Sequence, residues 1–171
     1  NIGEEAMFKN ISYFWLALAL LVTEIFILDQ LSIAMWLRPM LFQLIVILLP
    51  MEWRTIWVLV VSLVVGVVMD VSLGGAGLYT ATLLPLAVVR RTVMYLTTRR
   101  SVEPGDQSPL LTRMSQRQLM IYVGAMIFVH HLLFFWLETM SMVSLWHLVA
   151  TIIMSTLLSV VIAWPIVRLF L

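Results

Sequence analysis

The sequence predicts an all-α integral membrane protein with about six transmembrane helices. Of its 171 residues, 63% are hydrophobic and only 11% are charged, whereas a soluble domain is about half apolar and about a quarter charged. Apolar stretches recur along the chain, and several approach the length of about 20 residues that an α-helix needs to cross a bilayer. We therefore expect lipid to surround most of the chain.

Six apolar stretches are predicted to span the membrane and to form a single polytopic domain over residues 7–171. In chain order they cover residues 11–31, 38–50, 54–72, 77–97, 118–138 and 145–171. The second stretch is bounded by Pro39 and Pro50 and is short for a helix that crosses a bilayer. It is interpreted as a thin span, as a re-entrant segment, or as a span that begins near Leu31. Residues 1–6 precede Met7 and are interpreted as a cloning remnant.

The basic residues predict the orientation of the spans. One polar connection, residues 97–118, is longer than a tight turn and is predicted to be a flexible cytoplasmic loop. With six spans, both termini lie on the side that holds Lys9, Arg54, Arg90, Arg91, Arg99, Arg100, Arg113, Arg117 and Arg168. The other side keeps only Arg38. Because cytoplasmic loops carry an excess of Lys and Arg, both termini are expected in the cytoplasm.

Composition also excludes several classes of function. The chain has no cysteine, which excludes disulfides, thiolate metal sites and cysteine-based catalysis. Its net charge of +1 gives no field that would attract a nucleic acid. His130 and His131 are adjacent and point about 100° apart on a helix, unlike the four-residue spacing of a helical zinc site. We therefore predict no cofactor, no metal and no catalytic residue, and an intramembrane enzyme is the least favoured hypothesis.

Small and polar residues recur at four-residue spacing on three spans, which places them on one face of each helix. The stripes are Ser62, Gly66 and Asp70 on the third span, Gly77, Ala81 and Pro85 on the fourth, and His147, Thr151, Ser155, Ser159 and Ala163 on the sixth. Helices in lipid associate through small residues and shared hydrogen bonds. All three stripes are therefore predicted to pack against other helices.

Ionisable residues lie within or at the ends of the spans, namely Glu24, Asp29, Asp70, His131 and Glu138. A charge at mid-membrane costs about 2.5–3.5 kcal/mol on insertion scales, so such residues usually have a role. Only Glu24 is predicted to lie well inside a span, and His131 and Glu138 are predicted to share one face of the fifth helix. Hydrogen bonding between helices is the preferred interpretation of each.

Asp70 is predicted to stabilise the glycine-rich turn between the third and fourth spans. Its carboxyl group is expected to accept hydrogen bonds from the start of the fourth helix, around Leu78, Tyr79 and Thr80. Free backbone N–H groups and the positive end of the helix dipole favour an anion there.

The stretch from Gly66 to Ala81 resembles the signature of MreD, a family of rod shape-determining membrane proteins. In that signature a glycine, an aspartate four residues later and a glycine seven residues further on join two membrane helices; here they are Gly66, Asp70 and Gly77. Features elsewhere that fit MreD-like proteins of Bacteroidota type are Pro50, Arg90, Arg91, the pair His130–His131 and Glu138. The resemblance covers residues 7–171.

This resemblance implies a non-enzymatic role at the bacterial inner (cytoplasmic) membrane. MreD proteins act with MreC, which has one membrane helix, in the complex that holds a RodA-type glycosyltransferase and its penicillin-binding transpeptidase along MreB filaments. The implied function is a scaffold that binds the MreC helix and helps to position or activate the peptidoglycan synthase. The residues expected to form or support the partner surface are Ser62, Gly66, Asp70, Gly77, Arg90, His131 and Glu138.

The alternative is a substrate-binding membrane subunit of a vitamin transporter, because MreD is similar in fold to such subunits of energy-coupling-factor transporters. A vitamin site needs an aromatic-lined cavity with convergent polar groups. The aromatic residues predicted near the outer interface are Trp36, Tyr79, Trp136 and Trp146. The first helix lacks the Ala-x-x-x-Ala contact of those subunits, since Ala17 and Ala19 are two residues apart.

Overall fold

The computed structural model describes residues 2–28, 37–100, 114–139 and 144–170, and within α1 it describes side chains from Tyr13 onwards. Its helices are α1 (Ile2–Thr23), which continues as a π-helical turn over Glu24–Leu28, α2 (Leu44–Ile47), α3 (Thr55–Leu73), α4 (Leu78–Thr98), α5 (Gln116–Glu138) and α6 (Leu145–Phe170). The prediction of an all-α protein is confirmed for this part of the chain. Asp29, Trp36 and Arg113 lie outside the described residues, and so does the side chain of Lys9.

Three helices in the described ranges are long and apolar enough to cross a membrane: Thr55–Leu73, Gln116–Glu138 and Leu145–Leu169. They coincide closely with the predicted third, fifth and sixth spans. Large apolar side chains cover their outer surfaces, as Trp57 and Trp146 show with exposed fractions of 60% and 76%. Lipid tolerates such surfaces and water does not. The described helices therefore support a membrane protein, as predicted.

Neighbouring helices of the bundle run antiparallel. The turn at residues 74–77 joins α3 to α4. Thr82 Oγ1, near the start of α4, lies 3.4 Å from Nε2 of His130 in the second half of α5. Arg168 Nη2, near the end of α6, donates to Gln116 Oε1 at the start of α5 at 3.4 Å. The bundle consequently has two ends. We call the end at which α3 joins α4 and α5 terminates the hairpin end, and the opposite end the basic end.

The described arginines are distributed unevenly between these ends. Those at or toward the basic end are Arg54, Arg90, Arg91, Arg99, Arg100, Arg117 and Arg168. Arg38 lies at the hairpin end, where it pairs with Glu138 at the end of α5. The charge asymmetry that the sequence predicted is thus present in the fold.

Residues 38–51, which we call the inner segment, run through the middle of the bundle. No side chain from Met40 to Leu49 is more than 5% exposed. The segment starts at the hairpin end, and just beyond it the Trp53 carbonyl accepts a hydrogen bond from Arg91 at 3.1 Å near the basic end. The sequence predicted a short span here, but only Leu44–Ile47 is helical. Protein surrounds the remaining backbone, so it needs no helical hydrogen bonding of its own.

The stripe on the third span packs as expected, since Ser62 and Gly66 are buried on α3, which packs on α4. The stripe on the sixth span packs only in part. Its members Ser155, Ser159 and Ala163 are 0% exposed, whereas Thr151 is half-buried and His147 is exposed.

The prediction for the fourth span is wrong, because the residues of its stripe, Gly77, Ala81 and Pro85, are exposed. Helix α4, which packs mainly against α3 and α5, instead buries larger side chains such as Leu83 and Leu86. The small residue that allows close approach of the hairpin helices lies on α3 and not on α4.

Candidate functional site

Asp70 caps the first turn of α4 and closes the hairpin. Its Oδ1 accepts from the Tyr79 N–H at 3.0 Å, and its Oδ2 accepts from the Thr80 N–H at 3.0 Å and the Thr80 hydroxyl at 2.6 Å. The residue that precedes α4, Gly77, has no side chain that could cap these donors. The predicted hydrogen bonds of Asp70 to the start of the next helix are confirmed. We call these three hydrogen bonds the hairpin cap.

Glycines set the geometry around the hairpin cap. A Cβ atom on Gly66 would lie 2.6 Å from the Cα of Thr80, so only glycine lets the two backbones approach this closely. Gly74 ends α3 and Gly77 precedes α4, and both have the positive φ angles (68° and 92°) that favour glycine. A Cβ on Gly75 would lie 2.6 Å from Asp70 Oδ1. Gly75 was not among the predicted site residues, although its place in the Gly74–Gly77 run was a usable signal.

Ser62 plays a smaller part than predicted. It is buried, but its hydroxyl donates to the Val58 carbonyl of its own helix at 2.7 Å. It therefore contributes a small volume to the α3–α4 contact and no hydrogen bond between helices.

The first half of the inner segment is held by side chains of two helices. The Arg38 and Met40 N–H groups donate to the hydroxyls of Ser155 and Ser159 at 3.2 and 3.1 Å. The Leu41 N–H donates to Glu24 Oε2 at 2.7 Å, and Glu24 lies in the π-helical turn of α1 and is only 4% exposed. Buried N–H groups that no helix satisfies are costly, so these side chains make the non-helical path possible.

Tyrosine hydroxyls bind the second half of the inner segment. Tyr13 of α1 donates to the Ile45 carbonyl, and Tyr122 of α5 donates to the Ile47 carbonyl at 3.3 Å. Arg90 Nε donates to the Tyr122 hydroxyl at 3.4 Å. Arg90 is 2% exposed, and its Nη2 has no hydrogen-bond partner among the described residues. The predicted site residue Arg90 thus acts on the inner segment through Tyr122.

His131 also contacts this network. Its Nδ1 lies 2.8 Å from the Ile127 carbonyl, which can only accept, so Nδ1 carries the proton. Its Nε2 lies 3.4 Å from the Ser159 hydroxyl and is left to accept from it. Ser159 in turn accepts from Met40, so His131 orients a hydroxyl that holds the inner segment.

Glu138 anchors the start of the inner segment at the hairpin end. One of its carboxylate oxygens lies 2.5 Å from Arg38 Nη1, and the two side chains are 34% and 39% exposed. The guanidinium of Arg38 also lies 5.7 Å from the ring centroid of Phe134. His131 and Glu138, predicted on one helix face, therefore contact the same segment of chain.

An aromatic cluster joins the hairpin to the inner segment. Phe42 of the inner segment packs against Tyr79 of α4 and His130 of α5, with ring centroids 5.4 and 5.1 Å apart. Tyr79 was predicted at the outer interface but is 6% exposed, whereas Trp136 and Trp146 are 61% and 76% exposed. Tyr79 therefore faces the interior, whereas the two tryptophans face outward. Tyr79 instead fills the space between α4 and the inner segment.

An apolar groove lies between α1 and α6, and its volume is about 240 Å³. The lining residues are Leu16, Ala19, Leu20, Thr23, Leu41, Ile166 and Leu169. Within the described ranges of the chain, no group of three or more His, Asp or Glu side chains is placed to hold a metal ion.

Sequence reasoning missed the residues that hold the inner segment. Tyr13 and Tyr122 received no interpretation from the sequence, and Arg38 was interpreted only as part of the charge pattern. One signal was available, since Gln43 is a polar residue in the middle of an apolar stretch and is 0% exposed. A polar residue there indicates that the stretch is surrounded by protein and not by lipid.

No family model, no curated protein and no solved structure matches the chain.

Proposed function

We propose that the protein is a non-enzymatic membrane scaffold of the cell-wall elongation complex in a bacterial inner membrane. In this proposal it is MreD-like, binds the single membrane helix of MreC, and helps to position or activate the RodA-type glycosyltransferase and its penicillin-binding transpeptidase. The observation that carries the proposal is the hairpin cap. Gly66, Asp70 and Gly77, which carry the resemblance to MreD, are the residues that fix the approach and the turn of α3 and α4.

The filled interior of the described part of the chain favours a scaffold over the vitamin-transporter subunit. Ligand pockets commonly enclose about 300–1,000 Å³ and place a few polar groups among apolar walls. The inner segment occupies the middle of this bundle, and the groove of about 240 Å³ has a mostly apolar lining. A filled bundle with an apolar outer surface is suited to packing against another membrane helix.

The proposed topology has six crossings, with the basic end in the cytoplasm. The inner segment counts as the second crossing because it leads from the hairpin end to the basic end. Since the chain has no cysteine, single cysteines placed at the exposed residues Ser72 and Arg100 report on the two ends. A membrane-impermeant maleimide added to intact cells is expected to label position 72 and not position 100. The reverse pattern would contradict the orientation.

Purification from native membranes with mass spectrometry tests the function. We expect an MreC-like protein at a stoichiometric level, and we expect Asp70→Ala to reduce its recovery relative to the amount of inserted protein. Gly124→Ala serves as the control, because the atom nearest to a Cβ there is 4.0 Å away. Recovery of one vitamin-sized molecule per chain with energy-coupling subunits would instead establish the transporter function.

A further inference from the structure

We propose that the inner segment is a movable element that couples the hairpin end of the bundle to the basic end. Its path is the first observation. It is anchored at one end by the Arg38–Glu138 ion pair and leads to the Trp53–Arg91 contact near the other. The stretch between these two contacts is buried among the helices and offers a continuous packed route from one end of the bundle to the other.

The second observation is the way the segment is bonded. Outside the turn Leu44–Ile47, the N–H groups of Arg38, Met40 and Leu41 donate to side chains of α6 and of the π-helical turn that continues α1. These N–H groups are bonded to side chains and not to one another, so the segment can shift by exchanging side-chain partners. The surrounding helices stay intact during such a shift.

Buried polar atoms without partners are the third observation. Among the described residues they are Gln43 Oε1, Arg90 Nη2, His130 Nδ1 and Thr156 Oγ1. Gln43 belongs to the inner segment, and the His130 ring packs on Phe42. Arg90 contacts it through Tyr122. Each unpaired buried group is unfavourable, so a shift of the segment that gave one of them a partner would offset part of the cost of the hydrogen bonds it breaks.

The π-helical turn Glu24–Leu28 is a place where the hydrogen bonding of α1 can shift by one residue, and Glu24, which holds the inner segment, would move with it. A π-helical turn carries one extra residue in a helix and is common at functional sites. Glu24 stands at its start and binds the Leu41 N–H. A change of this turn would move the carboxylate that holds the inner segment. The coupling deepens the proposed function, because a partner bound at one end of the bundle would change the surface offered at the other end. The coupling rests on the proposed function only for the identity of the partner.

Thiol labelling of the full-length chain alone tests the coupling without any partner. Met51 lies at the far end of the inner segment and is 2% exposed, while Met94 lies in α4 toward the basic end and is 0% exposed. Single cysteines at these positions report, respectively, on opening of the segment and on general loosening of the bundle. The perturbation is Glu138→Ala, at the hairpin end.

We expect Glu138→Ala to raise the labelling rate at position 51 about two- to fivefold, the range for a partly exposed ion pair, and to leave position 94 unchanged. The charge swap Arg38→Glu with Glu138→Arg should restore the original rate. Ser159→Ala, which leaves the Met40 N–H without its partner, should raise labelling at position 51 by about tenfold. An unchanged rate at position 51 in both variants, or an equal rise at both positions, would overturn the proposal. Loss of partner capture with intact coupling would count against the proposed function alone.

Discussion

The α3–α4 hairpin and the inner segment solve the same problem in different ways. Both leave backbone N–H groups without helical partners. The hairpin satisfies them with Asp70, only 9 and 10 residues away in sequence. The inner segment satisfies them with Glu24, Ser155 and Ser159, which lie 17, 117 and 119 residues away. The hairpin can therefore form as a local unit, whereas the inner segment needs the bundle assembled around it.

Substitution of the glycine at the helix contact should have the largest effect on the hairpin. Gly66→Ala places a Cβ 2.6 Å from the Cα of Thr80, and backbone cannot move aside as a side chain can. We expect about 3 kcal/mol of destabilisation, measured as a lower thermal midpoint in detergent. The matched variant Gly124→Ala should be neutral or slightly stabilising, because alanine favours helix and the nearest atom is 4.0 Å away. Equal midpoints for both variants would contradict the close approach.

Removal of the hairpin cap should come next. Asp70→Ala leaves the Tyr79 and Thr80 N–H groups and the Thr80 hydroxyl without their acceptor, and we expect about 2 kcal/mol of destabilisation. Thr80→Val removes only one of these hydrogen bonds and should cost less than half as much. Hydrogen exchange of the first turn of α4 should rise in Asp70→Ala while exchange in α6 is unchanged. Unaltered exchange in α4 would show that the carboxylate is dispensable.

The inner segment should respond to the loss of a single hydroxyl on α6. Ser159→Ala removes the acceptor for the Met40 N–H and a partner of His131, and we expect about 1–2 kcal/mol of destabilisation. Thr156→Val on the same helix removes a buried hydroxyl that has no described partner, so it should be neutral or stabilising. Comparison of the two thermal midpoints separates the hydrogen bond from the change in volume. A larger loss in Thr156→Val would contradict this assignment.

The ion pair at the hairpin end should have the smallest effect on stability. Glu138→Gln weakens the contact with Arg38, whose side chain is 39% exposed, and we expect at most about 1 kcal/mol. The difference from the parent should shrink as salt is raised, since exposed charges are screened. A difference of the same size at low and high salt would indicate that Glu138 acts through packing and not through charge.

Local patterns in the sequence were sufficient for the hairpin. The positions of Gly66 and Asp70, one helical turn apart before a glycine-rich turn, predicted both the close approach and the cap of α4. The long apolar stretches predicted α3, α5 and α6 to within a few residues, because a helix that crosses a bilayer must satisfy its own backbone and so leaves a continuous apolar run. The charge asymmetry between the two ends was equally visible.

The packing of α4 shows where such patterns fail. Its stripe of Gly77, Ala81 and Pro85 has the spacing of a contact face but is exposed. Four-residue spacing says which residues share a face, and it does not say which face meets a neighbour. That choice depends on the volumes offered by α3 and α5 together.

For the inner segment, the sequence determined only that residues 38–50 are apolar, short and bounded by prolines. That the segment is non-helical over most of its length, and that Tyr13, Glu24 and Ser159 hold it, was decided by tertiary structure alone. The physical reason is that its hydrogen-bond partners come from helices remote in sequence, and no local pattern records which of them will be brought within bonding distance once the bundle has closed.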